Sequence, residues 1–290
     1  MCDVVRMKRL GTPELRGKYM TIERTRTILE DLERTLLWFM RKHKITHDEY
    51  RCATDILVAT VKAGEKSLLY DVFFEAEATD TGNISRQGSV GAIEGPFYLP
   101  NAPRLEAPYV LPQRSGEVGD VLLFRGRVTS PDGTPLAGAE LDMWQADAEG
   151  LYSNIHPNIP EWNLRGRFHS GPDGTFEVRT IVPPPYEIPK GGPAGVVLST
   201  LGRHFFRPAH LHLKVRHPRY SELTSQLYFD GGDYLNSDVA NGVREGLVTL
   251  LVRRDNPNEL AARGLHKPYF EVRYDFILVP HQAEDVRRRA

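Results

Sequence analysis

The N-terminal third of the chain alternates apolar and polar residues with the period of a helix. Apolar residues recur at three- and four-residue steps over residues 29–40 and again over 50–61, which marks one face of a helix in each segment. Polar and acidic residues at 46–49 are typical of the start of the second helix. A third helix is predicted from Ser67 to Ala78. Residues 14–94 contain no proline, as helices require.

The pattern changes after residue 94. The segment Glu94–Pro103 holds three prolines, which exclude a helix and indicate a linker. Short alternating or β-branched runs follow at regular spacing, separated by turn clusters such as Gly171–Gly174. Many short strands of this kind predict a β-sandwich. A helical period over residues 242–254 predicts one further helix.

One of these strands, residues 207–215, carries two histidines with a single residue between them. Side chains alternate faces along a strand, so His210 and His212 point the same way. Leu211, Leu213 and Val215 point the other way, into a core. The two imidazoles lie ~7 Å apart along the strand and can both reach one metal ion. A half-exposed strand with two histidines on its polar face explains the spacing equally well.

Composition and charge place the chain among ordinary globular proteins. Of its 290 residues 40% are hydrophobic and 26% charged, and the net charge of −1 offers no basic field for nucleic acid. Cys2 and Cys52 form neither a metal-ligand spacing nor a disulfide framework, which fits a reducing compartment. No apolar run approaches the ~20 residues of a membrane span. The first six residues lack the apolar region of a signal peptide, so a cytoplasmic location is expected.

Two tyrosines become informative when their surroundings are considered together with the histidine strand. Tyr152 follows a strand in the segment 142–153, and Tyr186 lies in a proline-rich stretch, 180–189. Alone, each tyrosine is explained as a packing residue or an exposed loop residue. The chain carries six motifs in order: Ile93–Tyr98, Asp142-x-Trp144 with Gly150-x-Tyr152-Ser153, Leu164–Arg167, Pro185-Tyr186-x-Ile188-Pro189, Arg207–His212, and Thr224-x-Gln226.

Together these motifs closely resemble the intradiol ring-cleaving dioxygenases of the catechol 1,2-dioxygenase type, with their chlorocatechol and hydroxyquinol relatives. The resemblance extends from the helical segment to about residue 250. It implies a mononuclear non-haem Fe(III) site whose ligands are Tyr152, Tyr186, His210 and His212. Phenolate is a hard anion that favours Fe(III). A free tyrosine has a pKa of about 10 and is neutral at pH 7, but a trivalent ion reverses that preference.

The resemblance further implies that O2 cleaves catechol between its two hydroxylated carbons, giving cis,cis-muconate in aromatic compound degradation. Substrate would displace Tyr186, which then serves as a base. Arg207 would stabilise negative charge on the ring, although a strand-end salt bridge also explains it. Gln226 would support the site by hydrogen bonding. The matching pocket-lining positions are Leu68, Asp71, Ile93, Gly95, Pro96, Phe97, Val239 and Ala240.

The preferred ring substituents stay open at this point. Asp71 could bond a third ring hydroxyl, as in hydroxyquinol-cleaving relatives, or occur as in chlorocatechol enzymes. Two functions of other classes also remain: a non-catalytic β-sandwich module that binds a sugar or a partner protein, and a zinc hydrolase using His210, His212 and a carboxylate.

The resemblance also sets the expected fold and assembly. We expect a mainly β protein, with an N-terminal α-helical dimerisation domain and linker over residues 1–105 and an antiparallel β-sandwich catalytic domain over 106–290. The family pattern implies a homodimer joined through the N-terminal helices with a phospholipid between them. The apolar stripe at 29–40 is wide enough for that role, and it is also explained as plain core.

Overall fold

The computed structural model describes residues 22–65 and 70–281. The chain divides into two compact units, with the boundary between Val58 and Ala59. The predicted pocket residue Leu68 and the predicted helix start at Ser67 lie outside the described residues. The domain boundary at residue 105 stays a prediction. No helix in the described ranges combines the length and apolar character needed to cross a membrane.

Two helices open the described chain, α1 (Ile22–His43) and α2 (His47–Lys62). Thr46 and Glu49 form a reciprocal cap at the start of α2: the Thr46 backbone N–H donates to Glu49 Oε2 at 2.8 Å, and the Glu49 N–H donates to Thr46 Oγ1 at 3.3 Å. None of the residues of α1 is buried. Both explanations of its apolar stripe, a dimer contact and plain core, stay predictions.

A third helical segment begins with a π-helical turn, Asp71–Glu75, and continues as α3, Ala76–Asn83. The sequence predicted an end at Ala78, before Asp80–Asn83, and this boundary was wrong. The Asn83 side chain pairs with Gly91 through two hydrogen bonds of 2.9 Å, so tertiary contacts hold residues that would otherwise favour a turn.

The rest of the described chain is mainly β and confirms the predicted sandwich. The strands are β1 (Tyr109–Val110), β2 (Val121–Thr129), β3 (Glu140–Trp144), β4 (Arg165–His169), β5 (Thr175–Ile181), β6 (Tyr186–Glu187), β7 (Phe206–Arg207), β8 (His210–His217), β9 (Tyr220–Phe229), β10 (Val248–Thr249), β11 (Val252–Arg254), β12 (Tyr269–Arg273) and β13 (Phe276–Ile277). Two short helices interrupt them, α4 (Pro193–Thr200) and α5 (Pro257–Ala262).

The strands form two mixed sheets and one short ribbon. The first sheet has the order β1-β5-β2-β12-β11, with β13 also on β2; the second has the order β10-β9-β8-β3-β4. Most neighbours are antiparallel, but β1 with β5, β10 with β9, and β12 and β13 with β2 run parallel. The ribbon pairs β6 with β7 and sets Tyr186 opposite Arg207.

The predicted helix over residues 242–254 is absent from the structure, which places β10 and β11 there. Backbone pairing explains the difference. Tyr228 N–H donates to the carbonyl of Leu247 and Asp230 N–H to that of Thr249, both at 2.9 Å, so β10 pairs with β9, while β11 pairs with β12. Leu247 is fully buried in the core between the sheets. Apolar spacing alone did not distinguish a short edge strand from a helix.

The core lies between the two sheets and orients β8. Leu211, Leu213 and Val215 are fully buried in it, as the alternation of the strand predicts. His210 and His212 therefore occupy the opposite face of the second sheet, away from the core.

Candidate active site

The two histidines of β8 converge on one point. Their Nε2 atoms lie 2.9 Å apart. His210 Nδ1 donates to the Pro208 carbonyl at 2.7 Å, which leaves its Nε2 without a proton. Burial, and then Arg207, lower the pKa of His210 to about 3, and burial lowers that of His212 well below its usual value. Both rings are therefore neutral and offer lone pairs to the same space.

The two tyrosines reach this space from separate loops. The Tyr152 ring centroid lies 5.5 Å from that of Tyr186 and 6.2 Å from that of His212. Tyr186, held in β6, lies 5.7 Å from His210. Gly150 permits this packing, because it has φ +81° and a Cβ there would lie 2.7 Å from the Cβ of Tyr186.

The chemistry of these four side chains fits a hard, highly charged cation. The Tyr152 hydroxyl is buried without a hydrogen-bond partner among the described residues, a cost that a metal bond would remove. Burial, and then Tyr186, raise the pKa of the Tyr152 phenol well above its ordinary value, so its deprotonation requires a strong positive charge nearby. Two imidazoles and two phenols suit Fe(III). The groups beside the histidines are phenols rather than the carboxylate that the zinc alternative requires.

Arg207 borders the same space and is held by a buried network. Its Nε and Nη2 atoms form a fork with both oxygens of Asp238 at 3.0 and 2.9 Å. Nη2 also donates to Gln226 Oε1 at 3.0 Å and to the Tyr228 hydroxyl at 2.9 Å. Nη1 lies 3.2 Å from His210 Nε2. Arg207 thus forms the ion pair considered from sequence, but in the interior, with one amino group facing the histidine pair.

Gln226 and Gly242 complete this network. Gln226 Nε2 donates to the carbonyl of Ile93 at 2.7 Å, so the network is tied to the opposite wall. A Cβ at Gly242 would lie 2.7 Å from Arg207 Nη2 and 2.9 Å from the Tyr228 hydroxyl. Only glycine leaves room for the guanidinium at this position.

A narrow pocket of about 20 Å³ lies beside the four side chains. Among the predicted pocket residues it is lined by Asp71, Ile93, Gly95, Pro96, Phe97 and Ala240, together with Tyr186, Arg207 and His212. Val72 and Ile188 also line it and were not predicted. Val239 does not line the pocket; it is buried in the apolar cluster that surrounds Tyr152 and Tyr186.

A half-buried carboxylate holds the pocket wall. Glu75 Oε1 accepts from the Glu94 N–H at 2.6 Å, and its Oε2 accepts from the Gly95 N–H at 3.2 Å. Asp71 lies one helical turn earlier on the same segment. Its own burial, followed by repulsion from Glu75 and Glu94, raises the pKa of Asp71 to about 6. The pocket is therefore mostly apolar, and its polar lining consists of Tyr186, Arg207, His212 and the Asp71 carboxyl.

Comparison with known proteins agrees with this site. The Dioxygenase family model (Dioxygenase_C) matches residues 93–280. A chlorocatechol 1,2-dioxygenase of Cupriavidus pinatubonensis (strain JMP 134 / LMG 1197) is 37% identical over 227 residues, which cover 78% of this chain and 88% of that protein. A 6-chlorohydroxyquinol 1,2-dioxygenase of the same strain is 35% identical over 264 residues, covering 89% and 91%.

Solved structures of dioxygenases are also similar to this chain. The crystal structure of 3-chlorocatechol 1,2-dioxygenase from Rhodococcus opacus 1CP superimposes with a TM-score of 0.82 at 40% identity, covering 90% of this chain and all of that one. The chain belongs to the intradiol ring-cleavage dioxygenase family. Family membership confirms the resemblance drawn from the motifs, and it favours an enzyme over a non-catalytic sandwich module.

Sequence reasoning about this dioxygenase missed several residues of the site. Tyr228 had a usable signal, because it lies two positions after Gln226 on one face of β9, opposite His210 in the register. Asp238 had no signal in the sequence, since its pairing with Arg207 depends on the path of the loop after β9. Trp144 was in a recognised motif, but its stacking on His212, with centroids 4.7 Å apart and planes 12° apart, emerged only from the fold.

Proposed function

We propose that this protein is a mononuclear non-haem Fe(III) enzyme that cleaves catechol or a substituted catechol with O2 between the two hydroxylated carbons, giving a cis,cis-muconate. The observation that carries this proposal is the convergence of Tyr152, Tyr186, His210 and His212 beside a pocket with a mostly apolar lining. These four side chains would hold the ion.

Bound Fe(III) would draw electron density from the bound catecholate and open its ring to direct attack by O2. The side chains of the chain supply the remaining chemistry. Tyr186 Oη accepts a substrate hydroxyl proton when the substrate takes its place. Arg207 keeps a fixed positive charge at the pocket wall, where negative charge develops on the ring, and burial makes that charge more effective. Gln226 holds Arg207 against Ile93.

Oxygen uptake tests the reaction directly. We expect the purified protein loaded with ferric iron to consume one O2 per catechol and to release a muconate. Arg207→Met removes the charge but keeps the length of the side chain, so we expect it to retain iron and lose most turnover. An iron-loaded wild-type protein that consumes no O2 with any catechol would contradict the proposal and favour a binding module.

The substrate preference rests on the pocket wall. Ile93, Phe97 and Ala240 fit an aromatic ring that is bare or carries chlorine, whereas Asp71 offers a hydrogen bond to a third ring hydroxyl. The relatives include proteins named for chlorocatechol and for 6-chlorohydroxyquinol. We therefore propose catechol cleavage with hydroxyquinol as an alternative substrate favoured by Asp71, and chlorocatechol as an alternative that the apolar wall admits.

A substrate panel with matched variants separates these possibilities. Catechol, 4-chlorocatechol, 4-methylcatechol and hydroxyquinol are compared by kcat/KM in the wild type and in Asp71→Ala. If Asp71 contacts the third hydroxyl, the variant loses more of its rate with hydroxyquinol than with catechol. An equal loss with both substrates would exclude that contact.

Assembly is the last part of the proposal. We propose a homodimer through α1, because Leu29, Leu32 and Leu36 of its apolar stripe are each at least half exposed in the single chain, and we extend the proposal to a phospholipid between the helices. Light scattering at micromolar concentration should give twice the chain mass, and organic extraction should release the lipid. A monomeric mass would contradict the dimer. The cytoplasmic location stays a prediction.

A further inference from the structure

Arg165, the first residue of β4, is a buried cation that forms no ion pair with a carboxylate of the described residues. Its side chain is 1% exposed. Nε donates to Ser153 Oγ at 3.0 Å, Nη2 to the Ser153 carbonyl at 3.2 Å and Nη1 to the Phe97 carbonyl at 2.8 Å. All three acceptors are neutral oxygens. Its carbon Cζ lies 5.7 Å from the centroid of the Tyr152 ring.

A buried guanidinium normally needs an anion, because removing it from water without one is costly. A guanidinium stays charged at neutral pH. The neighbouring carboxylate of Asp142 is already engaged by Arg216 at 3.1 Å and by the Tyr98 hydroxyl at 3.0 Å. Within the parts of the chain that the structure describes, the Tyr152 phenol is the other ionisable neighbour of Arg165, and it forms no ion pair.

The contacts of Arg165 also join two parts of the site. Ser153 directly follows Tyr152 in the loop, and Phe97 belongs to the pocket wall. The rings of Phe97 and Tyr152 lie 4.7 Å apart. One side chain therefore fixes the tyrosine loop against the wall that faces the substrate.

We propose that Arg165 is a positioning residue for Tyr152: its fixed positive charge balances the Tyr152 phenolate, and its hydrogen bonds hold the phenolate in place for the iron. This inference rests on the proposed function, since it requires Tyr152 to bind Fe(III) as a phenolate. Arg207 also favours the Tyr152 phenolate, but it is paired with Asp238 and lies beside His210, whereas Arg165 lies over the Tyr152 ring.

The proposal makes a spectroscopic prediction. Charge transfer from phenolate to iron moves an electron away from the phenolate, and a cation over the ring opposes that movement. Removing the charge should therefore shift the visible absorption to longer wavelength. It should also weaken iron binding by about 10–100-fold, as losses of groups that orient a metal ligand commonly do.

The test compares variants of Arg165 with a variant on the same strand. Arg165→Met and Arg165→Gln remove the charge, and Gln keeps a donor for the Phe97 carbonyl. Arg165→Lys keeps the charge but not the fork. Arg167→Met is the control, because Arg167 bonds to Ala102 and lies near Glu140, outside the site. Each iron-loaded protein is measured for its absorption maximum and for iron retained against a chelator.

We expect both neutral variants to shift the band to longer wavelength and to lose iron more readily, while Lys and the Arg167 control keep the wild-type band. A coloured wild type whose neutral variants keep its band would overturn this inference alone. An equal shift of the absorption band in Arg165→Lys and Arg165→Met would also overturn the inference, since the hydrogen-bond geometry of the guanidinium rather than its charge would then matter. A colourless iron-loaded wild type would overturn the proposed function, and this inference with it.

Discussion

The ion pair between Arg207 and Asp238 gives the sharpest test of how the site is held. The side chains are 4% and 2% exposed, and two hydrogen bonds of about 3 Å join them in a fork. Asp238→Asn keeps the shape of the side chain but leaves the guanidinium without its counter-charge. Breaking a buried pair by removing one partner typically costs about 3–5 kcal/mol.

The expected stability change follows from that range. At roughly 2–4 °C per kcal/mol for a domain of this size, the melting temperature of Asp238→Asn should fall by about 10 °C. Turnover should fall as well, because Arg207 loses the group that orients it towards the pocket. Urea denaturation of the wild type and the variant measures the free energy of unfolding directly.

A double-mutant cycle shows whether the unpaired charge is the cause. In an Arg207→Met background no guanidinium remains to lose its counter-charge, so Asp238→Asn should lower the free energy of unfolding much less there. We expect a coupling energy of roughly 2 kcal/mol or more between the two positions. Costs that add to within about 0.5 kcal/mol would refute the reasoning, since the aspartate would then act through its contacts with the backbone of residues 240 and 242.

Three further outcomes follow from the structure. Gly150→Ala should destabilise the protein by about 2 kcal/mol and reduce the iron bound at saturation, because the new methyl group would clash with Tyr186 and residue 150 has φ +81°. An unchanged iron content would contradict this prediction. The hydroxyquinol-to-catechol ratio of kcat/KM should rise as the pH passes about 6, where Asp71 ionises, and stay flat in Asp71→Asn; parallel profiles would exclude this assignment. Burial opposes ionisation of Glu271, but its three arginine partners outweigh burial and lower the pKa of Glu271 from 4.5 to about 2. The stability that ionised Glu271 contributes is therefore present above pH 4.5 and is lost as the pH falls towards 2. The free energy of unfolding should therefore drop less on acidification in Glu271→Gln than in the wild type, and an equal drop would contradict the linkage.

Much of the fold and of the site followed from local patterns. The period-2 alternation of residues 210–215 placed two histidines on one face and three aliphatic side chains in the core. The motifs around Tyr152 and Tyr186 identified the family, and the structure brings both tyrosines to the histidines. These features depend on residues close in sequence or on a recurring order of motifs.

The remainder depended on contacts between distant segments. Asp238 meets Arg207 across 31 positions, and Arg165 meets Phe97 across 68, so no periodicity points to either pair. The error at residues 242–254 has a related cause, because pairing of β10 with β9 and of β11 with β12 decided between helix and strand. Asn83 extended α3 through its bonds to Gly91, again a tertiary effect on a local preference.

The visible spectrum of the protein tests the central claim most directly. If two phenolates and two imidazoles bind one ferric ion, protein with one equivalent of Fe(III) should be wine-red through charge transfer from phenolate to iron. The Tyr152→Phe, Tyr186→Phe double variant should then be colourless at equal iron content. A double variant that keeps the colour, or an iron-loaded wild type without it, would contradict the assignment of Tyr152 and Tyr186 as ligands.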